Sequence, residues 1–224
     1  MTIENIRELL SNGWLLAGWL SIALLSCAIL LYDLRRNNSH IPSIMQSVWL
    51  LTVLYSGPLG LLIYFYSGRK QISTDSLWRK GFRSVAHCYS GCGAGEVTGV
   101  FIAAGLLTLS TTWVAATTFF FAYVFGYAMT LGPLLQDGVP LKKALIDTFY
   151  SDTVTITVME VTAISLDLWL AASASMDQAL FWNSLILSLT VGLIAAYPVN
   201  VLLVQFGVKG GMGDPRNTSA SHQH

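Results

Sequence analysis

Charge is what this chain of 224 residues has least of: Asp, Glu, Lys and Arg together make up 11% of it, against 54% hydrophobic residues and a mean hydropathy of +0.58. So little charged surface excludes an ordinary soluble domain and leaves an integral membrane protein. The 12 basic and 12 acidic residues cancel, so there is no one-signed surface of the kind that binds nucleic acid. Cysteine is scarce as well, and three cysteines exclude a disulfide framework. Phosphate-cradling glycine loops, a nucleophile elbow, zinc-protease helices and fixed-period repeats are all missing, which leaves hydrolytic chemistry without support and points to one membrane domain, a non-enzyme rather than an enzyme.

What is present is apolar runs of spanning length, near Gly13–Tyr32, Met45–Tyr66, Val85–Leu109, Trp113–Leu135, Phe149–Ala171 and Leu180–Phe206. They predict an all-α polytopic bundle of about six transmembrane helices, with the lipid bilayer as its main partner. Residues 1–12 read as an amphipathic lead-in along the inner surface, 13–206 as the transmembrane domain, and 207–224, rich in Gly and Ser, as a flexible cytoplasmic tail whose His222 and His224 are a weak signal for a divalent ion. With six crossings and the N-terminus inside, Arg7, Arg69, Lys70, Arg79, Lys80, Arg83, Lys142, Lys143, Lys209 and Arg216 fall on the inner side and only Arg35 and Arg36 on the outer. That asymmetry predicts a multi-pass protein of the inner (plasma) membrane with both termini cytoplasmic. Gly57-Pro58 in the second run and Pro198, followed by Asn200, in the sixth predict kinked helices. Cys27 reads as a buried thiol in the first run.

The third run opens with His87-Cys88-Tyr89-Ser90-Gly91-Cys92-Gly93-Ala94-Gly95-Glu96, an expensive set of groups to place in a membrane. On a helix Cys88, Cys92 and Glu96 share one face, and Gly91, Gly95 and Gly99 form a second stripe where another backbone can approach closely. The fifth run carries Asp152, Glu160 and Asp167 within about one quadrant of its helix, among several threonines. The third and fifth runs are expected to be parallel. Contact between them along the glycine stripe would collect His87, Cys88, Cys92, Glu96, Asp152 and Glu160 into one column.

Thiolates with an imidazole suit a soft transition metal, copper before zinc, whereas carboxylates alone suit a proton or a harder ion. Met129 and Met159 could add thioether donors, though packing is the plainer role. The metal reading makes His87, Cys88, Cys92 and Glu96 the metal-binding set and Asp152 and Glu160 second ligands or proton carriers. A proton relay through the acids is compatible with it. A structural reading has the acids and Asn200 hydrogen-bonded within the bundle as packing elements of a partner-binding subunit of unknown oligomeric state. A third has Cys88 and Cys92 as the pair of a membrane thiol oxidoreductase.

Three blocks resemble an uncharacterised prokaryotic membrane family known as domain of unknown function 4396: Leu54 through Gly57-Pro58 to Gly60, His87-Cys88 through Gly91-Cys92 to Gly95-Glu96, and Tyr197-Pro198-Val199-Asn200 with Gly207-Val208-Lys209 and Met212 beyond it. Ser151-Asp152-Thr153 is similar to the family's Asp-Thr element. The resemblance implies no nameable activity. Taken together, the residues lead to an expectation of soft-metal binding and of transport or delivery of that metal across the membrane.

Overall fold

The computed structural model describes residues 2–136, 138–171 and 174–217. The described residues form eight α-helices and no strand: α1 (Ile3–Leu10), α2 (Gly13–Asn37), α3 (Ser43–Ser56), α4 (Pro58–Ser67), α5 (Leu77–Val100), α6 (Thr111–Gln136), α7 (Leu141–Ala171) and α8 (Ala179–Gln205). A π-helical turn, Phe101–Leu106, extends α5. Local capping sets several starts: Thr2, Asn12 and Ser76 each accept a hydrogen bond from a backbone N–H in the first turn of α1, α2 and α5. Four helices are long and apolar enough to cross a membrane, namely α2, Thr111–Gly132 of α6, α7 and α8.

The expected second crossing, 45–66, does not form a single kinked helix. Gly57 ends α3 at φ 55°, ψ −128°, a backbone conformation that favours glycine, and Pro58 starts α4 at a position that needs no N–H. The chain then runs back beside itself. A Cβ on Gly60 would lie 2.9 Å from the Val53 Cα, the Trp49 and Tyr64 rings meet edge to face at 5.4 Å, and Gly68 abuts the Trp49 indole. In a continuous helix Trp49 and Tyr64 would be about 22 Å apart. Helices α3 and α4 are therefore an antiparallel hairpin whose ends both lie where α2 finishes.

Helix α5 stands at the centre of the bundle, and every residue from Arg83 to Gly93 is buried. Its Gly, Ser and charged residues keep it outside the apolar spanning class. The glycine stripe meets α6: a Cβ on Gly95 would lie 2.3 Å from the Phe121 carbonyl oxygen, and those on Gly91 and Gly99 would come 3.0 and 2.7 Å from the Cα atoms of Gly126 and Thr118. The expected close approach of a backbone is thus present, with α6 as its partner and α7 reaching α5 on another side. Helix α8 runs antiparallel to α5, placing Gly81 against Val201 and stacking Phe82 on Tyr197 at 3.9 Å. Pro198 lies inside α8, and Asn200 is fully satisfied: its amide donates to the Ala196 carbonyl and its side-chain oxygen accepts from Ser84 at 2.9 Å.

The two ends of the bundle carry different parts of the chain. Helix α1 lies where α7 ends and α8 begins, with Arg7 donating to the Leu170 and Trp169 carbonyls at 3.0 and 2.6 Å and Asn183 donating to the Leu10 carbonyl. At the opposite end His40 bonds the Pro215 carbonyl, Arg83 donates to the Gly211 and Ser67 carbonyls, and Arg216 donates to the Ser73 carbonyl. The first described residues thus lie at one end of the bundle and the last at the other. After α8, Lys209 is buried, Gly211 abuts Lys80, and Met212 packs on the core. Residues 218–224, with His222 and His224, lie outside the described residues.

Candidate functional site: a polar column beside the central helix

One turn apart on α5, Cys88 and Cys92 are both free and buried, with sulfurs 3.9 Å apart. Glu160 of α7 faces the Cys92 thiol and lies within electrostatic reach of Glu96 and Cys88. The four-residue spacing predicts the shared face of Cys88, Cys92 and Glu96 on α5, and the packing of α7 brings Glu160 to it. Glu96 is 2% and Glu160 0% exposed. Oε2 of Glu96 and both carboxylate oxygens of Glu160 are without a hydrogen-bond partner among the described residues. Buried acids left this way are costly in a merely structural role.

Toward the tail end the column closes on an ion pair. Lys209 places Nζ 2.6 Å from Oδ1 of Asp152, with the two side chains 3% and 2% exposed. His87, also buried, stands within electrostatic reach of both. Thr148 and Thr155, on the same helix as Asp152, add buried hydroxyls without partners among the described residues.

Toward the other end the column opens into a cavity of about 550 Å³, between α5 and its π turn on one side and α6, α7 and α8 on the others. Glu96 and Asp167 are among its lining residues, and Oδ1 of Asp167 has no hydrogen-bond partner among the described residues. Thr108, at its rim, has φ 48°, a left-handed conformation strained for a β-branched residue. π-Helical turns such as the one forming this wall occur often at functional sites.

Six expected residues therefore line one column in the order His87 and Asp152, then Cys88 and Cys92, then Glu160 and Glu96. They do not form one ligand sphere: among the described residues no three of His, Cys, Asp and Glu gather as a group able to hold a metal ion. Two thiols 3.9 Å apart nevertheless suit a soft ion taking two sulfur ligands. Met159 packs against Gly192 and Met129 against Gly91, both at helix crossings. Gly91, Gly95, Gly99, Gly57, Pro58, Pro198 and Asn200 occupy the packing and turning positions described above.

Two members were missed. Asp167 shares the face of Asp152 and Glu160 in the sequence, but only the cavity gives it a place. Lys209 was counted as a loop cation, and its signal was its position directly after the apolar end of α8 beside Gly207-Val208.

Residues 77–209 match the family described as Domain of unknown function (DUF4396). The chain belongs to DUF4396. The matched stretch of this DUF4396 member begins at the first residue of α5 and ends at Lys209, so it contains the whole column and leaves out α1 to α4. Among curated proteins and solved structures, nothing matches the chain.

Proposed function

We propose that this chain is a multi-pass transport protein of the plasma membrane that carries protons along the column beside α5. The observation carrying this reading is the pair of buried, unpartnered carboxyls, Glu96 and Glu160, set beside two thiols between an open cavity and a buried ion pair. Ionisable groups at membrane depth that face the bundle interior mark ion pathways by default.

In this reading α2, α5, α6, α7 and α8 cross the membrane and α3–α4 is a re-entrant hairpin. That odd number of crossings replaces the six read from hydropathy. All of the 12 Lys and Arg residues except Arg7 then fall at the end of the bundle where the tail docks, so the positive-inside rule makes that end cytoplasmic and the α1 end external. A proton enters from the cavity, is held by Glu96 and Asp167, passes to Glu160, and reaches Asp152 and His87 once the Lys209 ion pair opens. Lys209 itself places a fixed positive charge in the path, a barrier that makes passage conditional on that opening.

A second reading keeps the soft metal as cargo, and the 3.9 Å sulfur separation favours it. Copper(I) bound between Cys88 and Cys92 would displace two thiol protons, with Glu160 as acceptor of one and Glu96 of the other. Here the thiols are the ligands, and His87 belongs to the ion pair at the inner end.

Purified protein in proteoliposomes, with an internal pH-sensitive dye, tests both readings. Proton flux that falls at least tenfold in Glu160→Gln and persists in Cys88→Ser/Cys92→Ser supports the first. Flux in Glu160→Gln equal to wild type rejects it. Stoichiometric copper in purified wild type that is absent from the double serine variant supports the second, and equal metal content in both removes it.

A further inference from the structure

The cavity at the outer end of the column is far larger than a proton path requires. Its volume of about 550 Å³ falls within the range of sites that hold small organic molecules. Most of its wall is apolar, supplied by residues such as Val100, Val114, Ile164 and Phe181, and three acids line it: Glu96 of α5, Asp167 of α7, and the exposed Asp177, which accepts a hydrogen bond from the Ser175 hydroxyl. Glu96 is 98% buried (2% exposed), with Oε2 unpartnered, and Oδ1 of Asp167 is unpartnered too. An apolar chamber with two unsatisfied carboxyls has a definite complement: a compact apolar body carrying one positive charge. A neutral apolar molecule would leave both acids unsolvated. A small hydrated ion would leave the apolar wall unused.

We infer that this cavity is a binding site for a lipophilic organic cation, an amine or quaternary ammonium on an apolar body, held with its charge toward Glu96 and Asp167. The inference deepens the proton-column reading by naming the class of solute that meets the column at its outer end. Glu96 belongs to both the cavity and the column, so an organic cation and a proton compete for the same carboxyl. That competition is the physical basis for exchanging one for the other across the membrane.

The test is equilibrium binding of benzyltrimethylammonium to the full-length purified protein, with neopentylbenzene as its neutral carbon isostere. One saturable site per chain is expected, with affinity for the neutral isostere at least tenfold weaker and a loss of at least tenfold in Glu96→Gln and in Asp167→Asn. Asp167 is only partly buried, so Asp167→Asn keeps the test decisive if Glu96→Gln fails to fold, and Ala104→Trp fills the chamber without touching either acid and is expected to abolish binding. Equal affinity for cation and isostere, undiminished binding in Asp167→Asn, or no saturable binding overturns the site. Absence of binding with Glu160-dependent proton flux intact rejects the cavity proposal alone. Binding retained without flux rejects the column and leaves the cavity.

Discussion

Two clusters of buried acid lie in this bundle, and they are built on opposite principles. Asp33, near the end of α2, accepts hydrogen bonds from Asn37, Asn38, Tyr64 and Arg69, all at 2.8 Å, and pairs with Arg69 as a salt bridge. It ties α2 to the returning arm of the α3–α4 hairpin, and each of its oxygens has two donors. Glu96 and Glu160, by contrast, are at least as deeply buried and keep oxygens with no partner. Burial alone thus does not separate the two clusters. The number of donors facing each acid does: a fully satisfied carboxylate is locked in place, and in the proposed reading an unsatisfied one is available to an incoming charge.

The largest expected effect is at the satisfied cluster. Asp33→Ala leaves the Arg69 guanidinium and the Tyr64 hydroxyl facing a void, and removing one member of a buried pair typically costs about 3–5 kcal/mol. Denaturant titration in detergent should show that loss, and a loss below about 1 kcal/mol would place Asp33 with the column acids. Next comes the α5–α6 crossing. Gly95→Ala drives a Cβ to 2.3 Å from the Phe121 carbonyl oxygen, an overpacking expected to cost about 1–3 kcal/mol. An unchanged melting temperature would show that the two helices are not in backbone contact.

Smaller effects sharpen the contrast. Thr108→Gly should stabilise the fold by about 1 kcal/mol, because the residue sits at φ 48° where glycine is at ease; destabilisation would show that its side chain makes compensating contacts. The smallest effect is in the docked tail, where Arg216 donates to Asp214 and holds its carboxyl down at about 2. A depressed carboxylate contributes its stability above the unfolded value of about 4 and loses it as pH falls toward the folded one. Asp214→Asn should therefore cost less than about 1 kcal/mol at neutral pH, since the pair is largely exposed. The difference from wild type should fade as pH falls from about 4 through about 2, and a difference undiminished at pH 2 would point to a role other than the ion pair.

The same distinction explains what the sequence could and could not reveal. The four-residue repeat of Cys88, Cys92 and Glu96 and the shared face of Asp152, Glu160 and Asp167 are properties of single helices, and helical periodicity fixes them. The glycine stripe likewise announced a close crossing. Its partner depends on how helices order around α5, which periodicity does not encode, and sequence reading assigned it to α7 where α6 stands. The α3–α4 hairpin was hidden because hydropathy sums along the chain and cannot distinguish a bent helix from one that turns back; the positive φ of Gly57 and the Trp49–Tyr64 contact reveal the turn. From that one turn follow the odd number of crossings in the proposed topology and the separated ends of the chain. Lys209 was hidden for a related reason, since its partner Asp152 lies 57 positions earlier and only the folded tail joins them.

The most direct test of the contrast sets Asp33→Asn and Glu160→Gln side by side, measuring for each the melting temperature of the purified protein and its proton flux in proteoliposomes. The expected result is a crossed one: Asp33→Asn melts well below wild type while its folded fraction conducts, and Glu160→Gln melts at or above wild type and does not conduct. A Glu160→Gln protein that loses stability as Asp33→Asn does, yet carries protons at the wild-type rate, would contradict the account.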